Sequence, residues 1–291
     1  SSGGASRYSK SSWQSMAVYI TDQYKWNEKT TLSGGIRYNH IFLDSEFDTT
    51  FYPFPFTEAS LSHGSLTGSL GIVYRPESTW VFSTNLGTAF RAPNVDDIGK
   101  VFDSSPGEVV VPNPDLKPEY AYNADIGIAK VFGEIIKMDL TAYYTHLKNS
   151  MLRRDFRLNG KDSIMYQGEM SRVQAIQNAA QANIYGIQAG IDIRLAYGFK
   201  LLTDFNLQKG KEELENGKTS PVRHAAPFYG ISRLNFNSSK LMMELNVIYT
   251  GERSFDNMPE GEKKKMELYA LDKNGNVYAP AWYTLNFKSL Y

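Results

Sequence analysis

Four histidines, two acidic groups, two basic groups and one aromatic run are the places where side-chain type and spacing could support chemistry. His40 and His146 each prolong an alternating apolar stretch, which suits an amphipathic ring at an interface better than a metal ligand. His63 stands apart from the other histidines, and His224 follows Arg223 just before an apolar stretch, a rim position. Asp96-Asp97 and the set Glu260, Glu262 and Glu267 could hold a cation. No metal-ligand spacing accompanies them, so solvated loop charge is the plainer reading. Arg153-Arg154 with Arg157, and Lys263-Lys264-Lys265, could attract an anionic ligand or a surface polysaccharide. In Phe51-Tyr52-Pro53-Phe54-Pro55-Phe56, consecutive rings on a proline-stiffened chain could close over an organic ligand or pack the loop onto its neighbours. The ligand-binding candidates are therefore Phe51, Tyr52, Phe54, Phe56, Arg153 and Arg154.

No nucleophile–base set, phosphate-cradling glycine loop or zinc motif occurs, and there is no cysteine. Neither catalysis, a metal centre nor a cofactor is expected. Basic and acidic residues balance at 31 each, which gives no electrostatic footprint for nucleic acid. Mean hydropathy is −0.40 and no stretch approaches the roughly 18 apolar residues of a transmembrane helix. A barrel strand, however, shows lipid only at every second residue and averages out as polar.

Period-2 alternation recurs along the chain. Leu32, Gly34, Ile36, Tyr38, His40 and Phe42 share one face, with Ser33, Gly35, Arg37 and Asn39 on the other. The same pattern predicts about eleven strands. Two are irregular: Asp22 shares the face of Met16, Val18 and Ile20, and Arg233 shares that of Ile231. A bulge or an exit from the membrane accounts for either. Short connections at Asn27-Glu28-Lys29, Pro76-Glu77-Ser78, Gly133-Glu134, Tyr197-Gly198 and Ser238-Ser239 alternate with long ones at about 45–62, 91–117, 147–181, 209–226 and 250–279. In an up-and-down sheet this puts tight turns on one rim and long loops on the other, as in outer-membrane barrels.

A soluble antiparallel sandwich also alternates, but its strands are mostly about 5–6 residues long. The alternating stretches here are long enough for the roughly 9–11 residues that cross a bilayer. Aromatics gather at both ends of the apolar faces: Trp26, Tyr74, Trp80, Phe132 and Phe199 near short turns, and Phe42, Phe90, Tyr120, Tyr144, Tyr249 and Tyr283 near long loops. The fold class is all-β, an antiparallel up-and-down transmembrane β-barrel facing outer-membrane lipid. Eleven strands is an odd number, and the chain stops within an alternating stretch, so a fragment of a larger barrel is expected.

Phe90-Arg91-Ala92-Pro93 enters the second long loop and Asn113-Pro114-Asp115-Leu116-Lys117-Pro118-Glu119 leaves it. This pair resembles the FRAP and NPxLKPE boxes of TonB-dependent receptors. Ser33-Gly34-Gly35-Ile36-Arg37-Tyr38 and Asn183-Ile184-Tyr185-Gly186-Ile187-Gln188-Ala189-Gly190 are similar to segments of the same family. By themselves the prolines mark where strand pairing stops and resumes, and Arg91 points inward at the rim within reach of Asp125 or Glu119. Residues 90–93 and 113–119 are thus expected to shape and anchor the loop.

The resemblance implies a barrel of about 22 strands with its lumen plugged by an N-terminal domain. It also implies residence in the bacterial outer membrane and a TonB complex that powers uptake of a small nutrient. A ferric siderophore leads; haem, cobalamin, copper and an oligosaccharide follow, with a passive porin-like channel as the reading of another class. Plug and last strands would lie outside residues 1–291. Haem receptors of this family place a histidine between the boxes, and residues 94–112 contain none.

Overall fold

A computed structural model describes residues 10–47, 57–99, 102–105, 107–214, 218–222, 225–263 and 265–291. Eleven long strands form one antiparallel path in sequence order: β1 (Lys10–Lys25), β2 (Thr30–Glu46), β3 (Glu58–Tyr74), β4 (Trp80–Arg91), β5 (Glu119–Phe132), β6 (Ile136–Asp155), β7 (Glu169–Arg194), β8 (Phe199–Glu213), β9 (Phe228–Asn237), β10 (Met242–Thr250) and β11 (Trp282–Leu290). Short strands from the long connections join the sheet at its loop end, among them Glu108–Val110, Ser163–Tyr166 and Thr219–Pro221. No helix of the described residues is long and apolar enough to cross a membrane.

Cross-strand register carries the alternation from strand to strand. Asp22 faces Gly34, Gly34 faces Leu70, Leu70 faces Leu86, Leu86 faces Ala124 and Ala124 faces Tyr144. One face of the sheet is therefore apolar and uncovered among the described residues: Ile20 is 72%, Leu66 64% and Ile126 65% exposed. The opposite face carries a polar network. Asp125 accepts hydrogen bonds from Asn85 and Asn123, Thr145 donates to Asn123, and Lys200 pairs with Asp192 at 2.8 Å. Both irregular strands are free of bulges. β1 pairs with β2 without a break, so Asp22 lies on the apolar face, two residues before Tyr24 at the short-turn end. Arg233 and Ile231 both lie on the polar face, where Arg233 pairs with Asp204.

At the short-turn end Trp80 stacks on Phe82 with centroids 5.6 Å apart, and the Lys130 ammonium lies 4.2 Å from the Trp80 ring. At the loop end His40 lies 4.5 Å from Phe42, and its imidazole nitrogens contact Tyr38 and Ser62. Both are aromatic groupings at the ends of the apolar face, as in a girdle.

Three long connections are shorter than their sequence bounds, because the hairpins continue past the apolar band. β2 and β3 stay paired to Glu46 and Glu58, β6 and β7 to Asp155 and Gln174, and β8 runs to Glu213. Beyond the band both faces meet polar surroundings, so alternation fades while backbone pairing persists. The connections at 91–117 and 250–279 keep nearly their predicted limits.

Glycines let polar-face side chains bridge across a strand. Tyr143 of β6 lies over Gly186 of β7, and its hydroxyl lies 3.1 Å from Asn206 Oδ1 and 3.0 Å from Gln208 Oε1 on β8. A Cβ at Gly186 would stand 2.5 Å from the Leu207 carbonyl oxygen and 2.6 Å from the Tyr143 hydroxyl. Gly186→Ala should therefore destabilise the folded barrel by about 1–3 kcal/mol. Gly261→Ala, with nothing within 4 Å of the added carbon, should leave it unchanged. The temperature at which the folded band converts to the unfolded band on unboiled gels checks the contrast.

Candidate functional site at the loop rim

The connection between β4 and β5 folds back over the polar face instead of standing away from it. Its short helix α1 (Val95–Gly99) begins with a reciprocal cap: the Asp97 N–H donates to Asn94 Oδ1, and the Asn94 N–H donates to Asp97 Oδ2, both at 3.0 Å. Arg91, the last residue of β4, donates to the same Asp97 Oδ2 from Nη1 and to Glu119 Oε1 from Nε, each at 2.8 Å. Glu119 opens β5 directly opposite Arg91, and its second oxygen accepts the Met151 N–H of β6 at 2.9 Å. One carboxylate thus ties together three strands and the start of the loop. Of the two acids within expected reach of Arg91, Glu119 is the partner; Asp125 bonds Asn85 and Asn123 instead.

The second box is held from β7. Asn178 accepts the Lys117 N–H and donates to the Lys117 carbonyl, both at 2.7 Å, so its amide imitates one rung of a β-ladder; it also donates to the Asn149 carbonyl. Asn113 donates to the Ile176 carbonyl at 2.8 Å and caps its own turn by accepting the Asp115 N–H. Before it, Glu108–Val110 runs parallel to Arg172–Gln174 on β7. Leu116 and Ile98 then bury completely against Leu43 and Phe47 of the β2 end, Ala59 and Leu61 of β3, and Met151. Phe90 faces Tyr120 across the β4–β5 pair on the apolar face, and Pro93 and Pro112 are fully buried. Ala92 and Pro114 are half-buried and Pro118 is buried, whereas Asp115 is exposed. Residues of both boxes thus take part in contacts that clamp the loop to β5, β6 and β7.

Among the remaining candidates, Arg153 and Arg154 are brought to opposite faces. Arg153 pairs with Ile176, which packs against the Leu43 cluster on the polar face. Arg154 sits beside Ala175 in the second cluster, on the outer side, with Nε and Nη2 buried and unbonded. The two cannot grip one ligand from one side. Arg157 is exposed. The acidic set is not solvated throughout: Glu262 is buried, pairs with Lys265 at 3.1 Å and accepts the Tyr269 hydroxyl at 2.7 Å, while Glu260 pairs with Lys263. Phe51, Tyr52, Phe54, Phe56, Lys264 and His224 lie outside the described residues. Among the described residues no three His, Asp or Glu side chains are grouped to hold a metal ion. Asn178 and the Leu43 cluster were missed in the sequence; the available signal was the run His40-Ile41-Phe42-Leu43, apolar on both faces where alternation should leave one polar.

The family model for the TonB-dependent receptor-like β-barrel matches residues 1–291. The chain belongs to this family. It is a transmembrane β-barrel segment of the bacterial outer membrane, its apolar face toward lipid and its polar face toward the lumen. It is 22% identical over 272 residues to an iron-regulated outer membrane virulence protein of Vibrio cholerae, covering 90% of this chain and 38% of that one. It is 24% identical over 245 residues to hemoglobin-haptoglobin utilization protein B of Neisseria meningitidis, covering 77% and 30%. The fold matches the siderophore receptor PirA of Acinetobacter baumannii with a TM-score of 0.67 at 14% identity, over 95% of this chain and 39% of that one. The barrel segment thus spans less than two fifths of these relatives.

Glu119→Gln would lose one acceptor and turn an amide N–H toward either Arg91 or the Met151 N–H. It should cost about 1–3 kcal/mol and expose residues 92–118 to protease, whereas Asp115→Asn, at an exposed side chain, should not. Limited proteolysis of the two variants followed by mass mapping of the cuts checks this.

Proposed function

We propose that the full-length protein imports a ferric siderophore through the outer membrane, energised by a TonB complex acting on a plug domain outside this segment. The supporting observation is the rim clamp. Arg91, Glu119 and Asn178 hold described parts of the loop, with an apolar core of their own, over the lumen face, which suits a ligand vestibule better than an open diffusion pore. Arg153, on the lumen face beside that core, supplies a cation for an anionic chelate. The iron-regulated relative from Vibrio cholerae and the siderophore receptor PirA favour iron as cargo. The Neisseria relative's name raises haem as a second reading, which the absence of histidine from residues 94–112 disfavours.

The test is deletion and restoration of the gene in its host, with uptake of labelled ferric chelates followed under iron limitation. Loss of uptake of one chelate, restored by the intact gene but not by one lacking the plug's TonB-contacting segment, is the expected result. Unchanged uptake of every iron source would refute it. Arg153→Ala in the restored strain should raise the half-saturating chelate concentration about tenfold or more, the loss of one charge-assisted hydrogen bond, with the maximal rate little changed.

A further inference from the structure

The ladder between β3 and β4 is shorter than either strand. Pairing runs from Tyr74 opposite Phe82 to Ser69 opposite Gly87 and stops, although β3 continues to Glu58 and β4 to Arg91. On either side the sheet stays bridged: β2 pairs with β3 along its whole length, and β4 pairs with β5 up to Arg91. At the fork the Thr88 hydroxyl stands in for the missing rung. It accepts the Gly68 N–H at 2.8 Å and donates to the Gly68 carbonyl at 3.3 Å. Backbone groups in hydrocarbon need such partners, so this side chain closes the floor where the strands part.

On the lipid-facing side the fork opens as a groove of about 660 Å³. Ile36, Leu66, Leu86 and Tyr122 wall it, and Gly68 and Ala124 form its floor. Among the described residues no charged side chain lines it. At its loop end Tyr144 donates to Asn183 Oδ1 at 2.6 Å and the His146 ring lies 2.8 Å from the same oxygen. The next residue outward on that face is Lys148, which is exposed.

Strands β2 to β6 have neighbours on both sides, so further barrel strands can join only at β1 and β11, and anything inside the lumen meets the other face. The occupant must come from the bilayer. An uncharged apolar groove takes hydrocarbon, and a cation at its outward end selects a negative headgroup.

We propose that the β3–β4 fork binds an anionic outer-leaflet lipid, one acyl chain lying along the groove with its phosphate at Lys148. This depends on placement of the barrel in the outer membrane and not on which nutrient is imported.

The full-length protein, its other tryptophans replaced by phenylalanine and carrying Leu86→Trp on the groove wall, is reconstituted in phosphatidylglycerol with brominated acyl chains, which quench tryptophan on contact. It is then diluted into excess unbrominated phosphatidylcholine. Quenching should persist well after dilution, while Ile187→Trp, on the apolar face of β7 away from the fork, recovers at once. Adding Lys148→Glu should shorten the persistence severalfold, and adding Ala124→Phe, which fills the floor, should abolish it. Assembly of each variant is read from its heat shift on gels; if Ala124→Phe fails to assemble, Lys148→Glu decides alone. Recovery of Leu86→Trp as fast as Ile187→Trp, or persistence that Lys148→Glu does not shorten, would overturn the proposal. So would a dimer that accounts for the persistence, since the occupant would then be a second copy.

Discussion

Every N–H and C=O that enters hydrocarbon must find a partner within the protein, and this requirement governs the rest of the structure. Eleven strands meet it by pairing each with the next in sequence order, which leaves the connections free to depart from the sheet. The pairing fixes register, and register fixes the faces: a slip of one residue would send Asp125, Asp139 and Asp192 into lipid and Ile126, Leu140 and Ile191 into the lumen. Where pairing lapses, at the β3–β4 fork, a threonine hydroxyl replaces it. Polar-face bridging depends on the same rule, because Tyr143 reaches β8 only where Gly186 leaves room above the ladder.

Beyond the membrane the constraint relaxes, and the chain uses side chains where the sheet would have used backbone. Asn178 imitates a ladder rung for Lys117, and Glu119 gives its two oxygens to two different strands. These contacts bring α1 and the second proline box onto Leu43, Leu61 and Met151, giving the loop a small apolar core of its own. The ion pairs with half-exposed Arg91 contribute modestly by themselves. Their geometry decides where the loop core sits, and the burial of Ile98 and Leu116 holds it there.

The sheet was legible in the sequence because alternation is a local signal, and so was the contrast between tight and long connections. Asp22 and Arg233 looked anomalous for different reasons. Asp22 is close to the aqueous end of β1, and Arg233 is an ordinary lumen residue whose neighbours Ile231 and Ile248 happen to be apolar. The partnership of Arg91 with Glu119 could be anticipated from two boxes at the two ends of one loop. The clamp from Asn178 could not, since 61 residues separate it from Lys117 and an asparagine beside an alanine pair carries no distinctive pattern. The opposed faces of Arg153 and Arg154 follow from strand continuation through Asn149, a left-handed residue at an irregularity that alternation does not reveal.

In the proposed function the chain crosses the outer membrane with its tight turns inward and its folded loops outward. Single cysteines on a cysteine-free full-length background, labelled on intact cells with a membrane-impermeant maleimide, test it most directly. Lys161→Cys and Lys273→Cys, at exposed loop positions, should label from outside. Glu28→Cys and Glu134→Cys, in tight turns, should label only after the cells are opened. Labelling of the turn positions on intact cells, with protection of the loop positions, would show the opposite orientation and rule this one out.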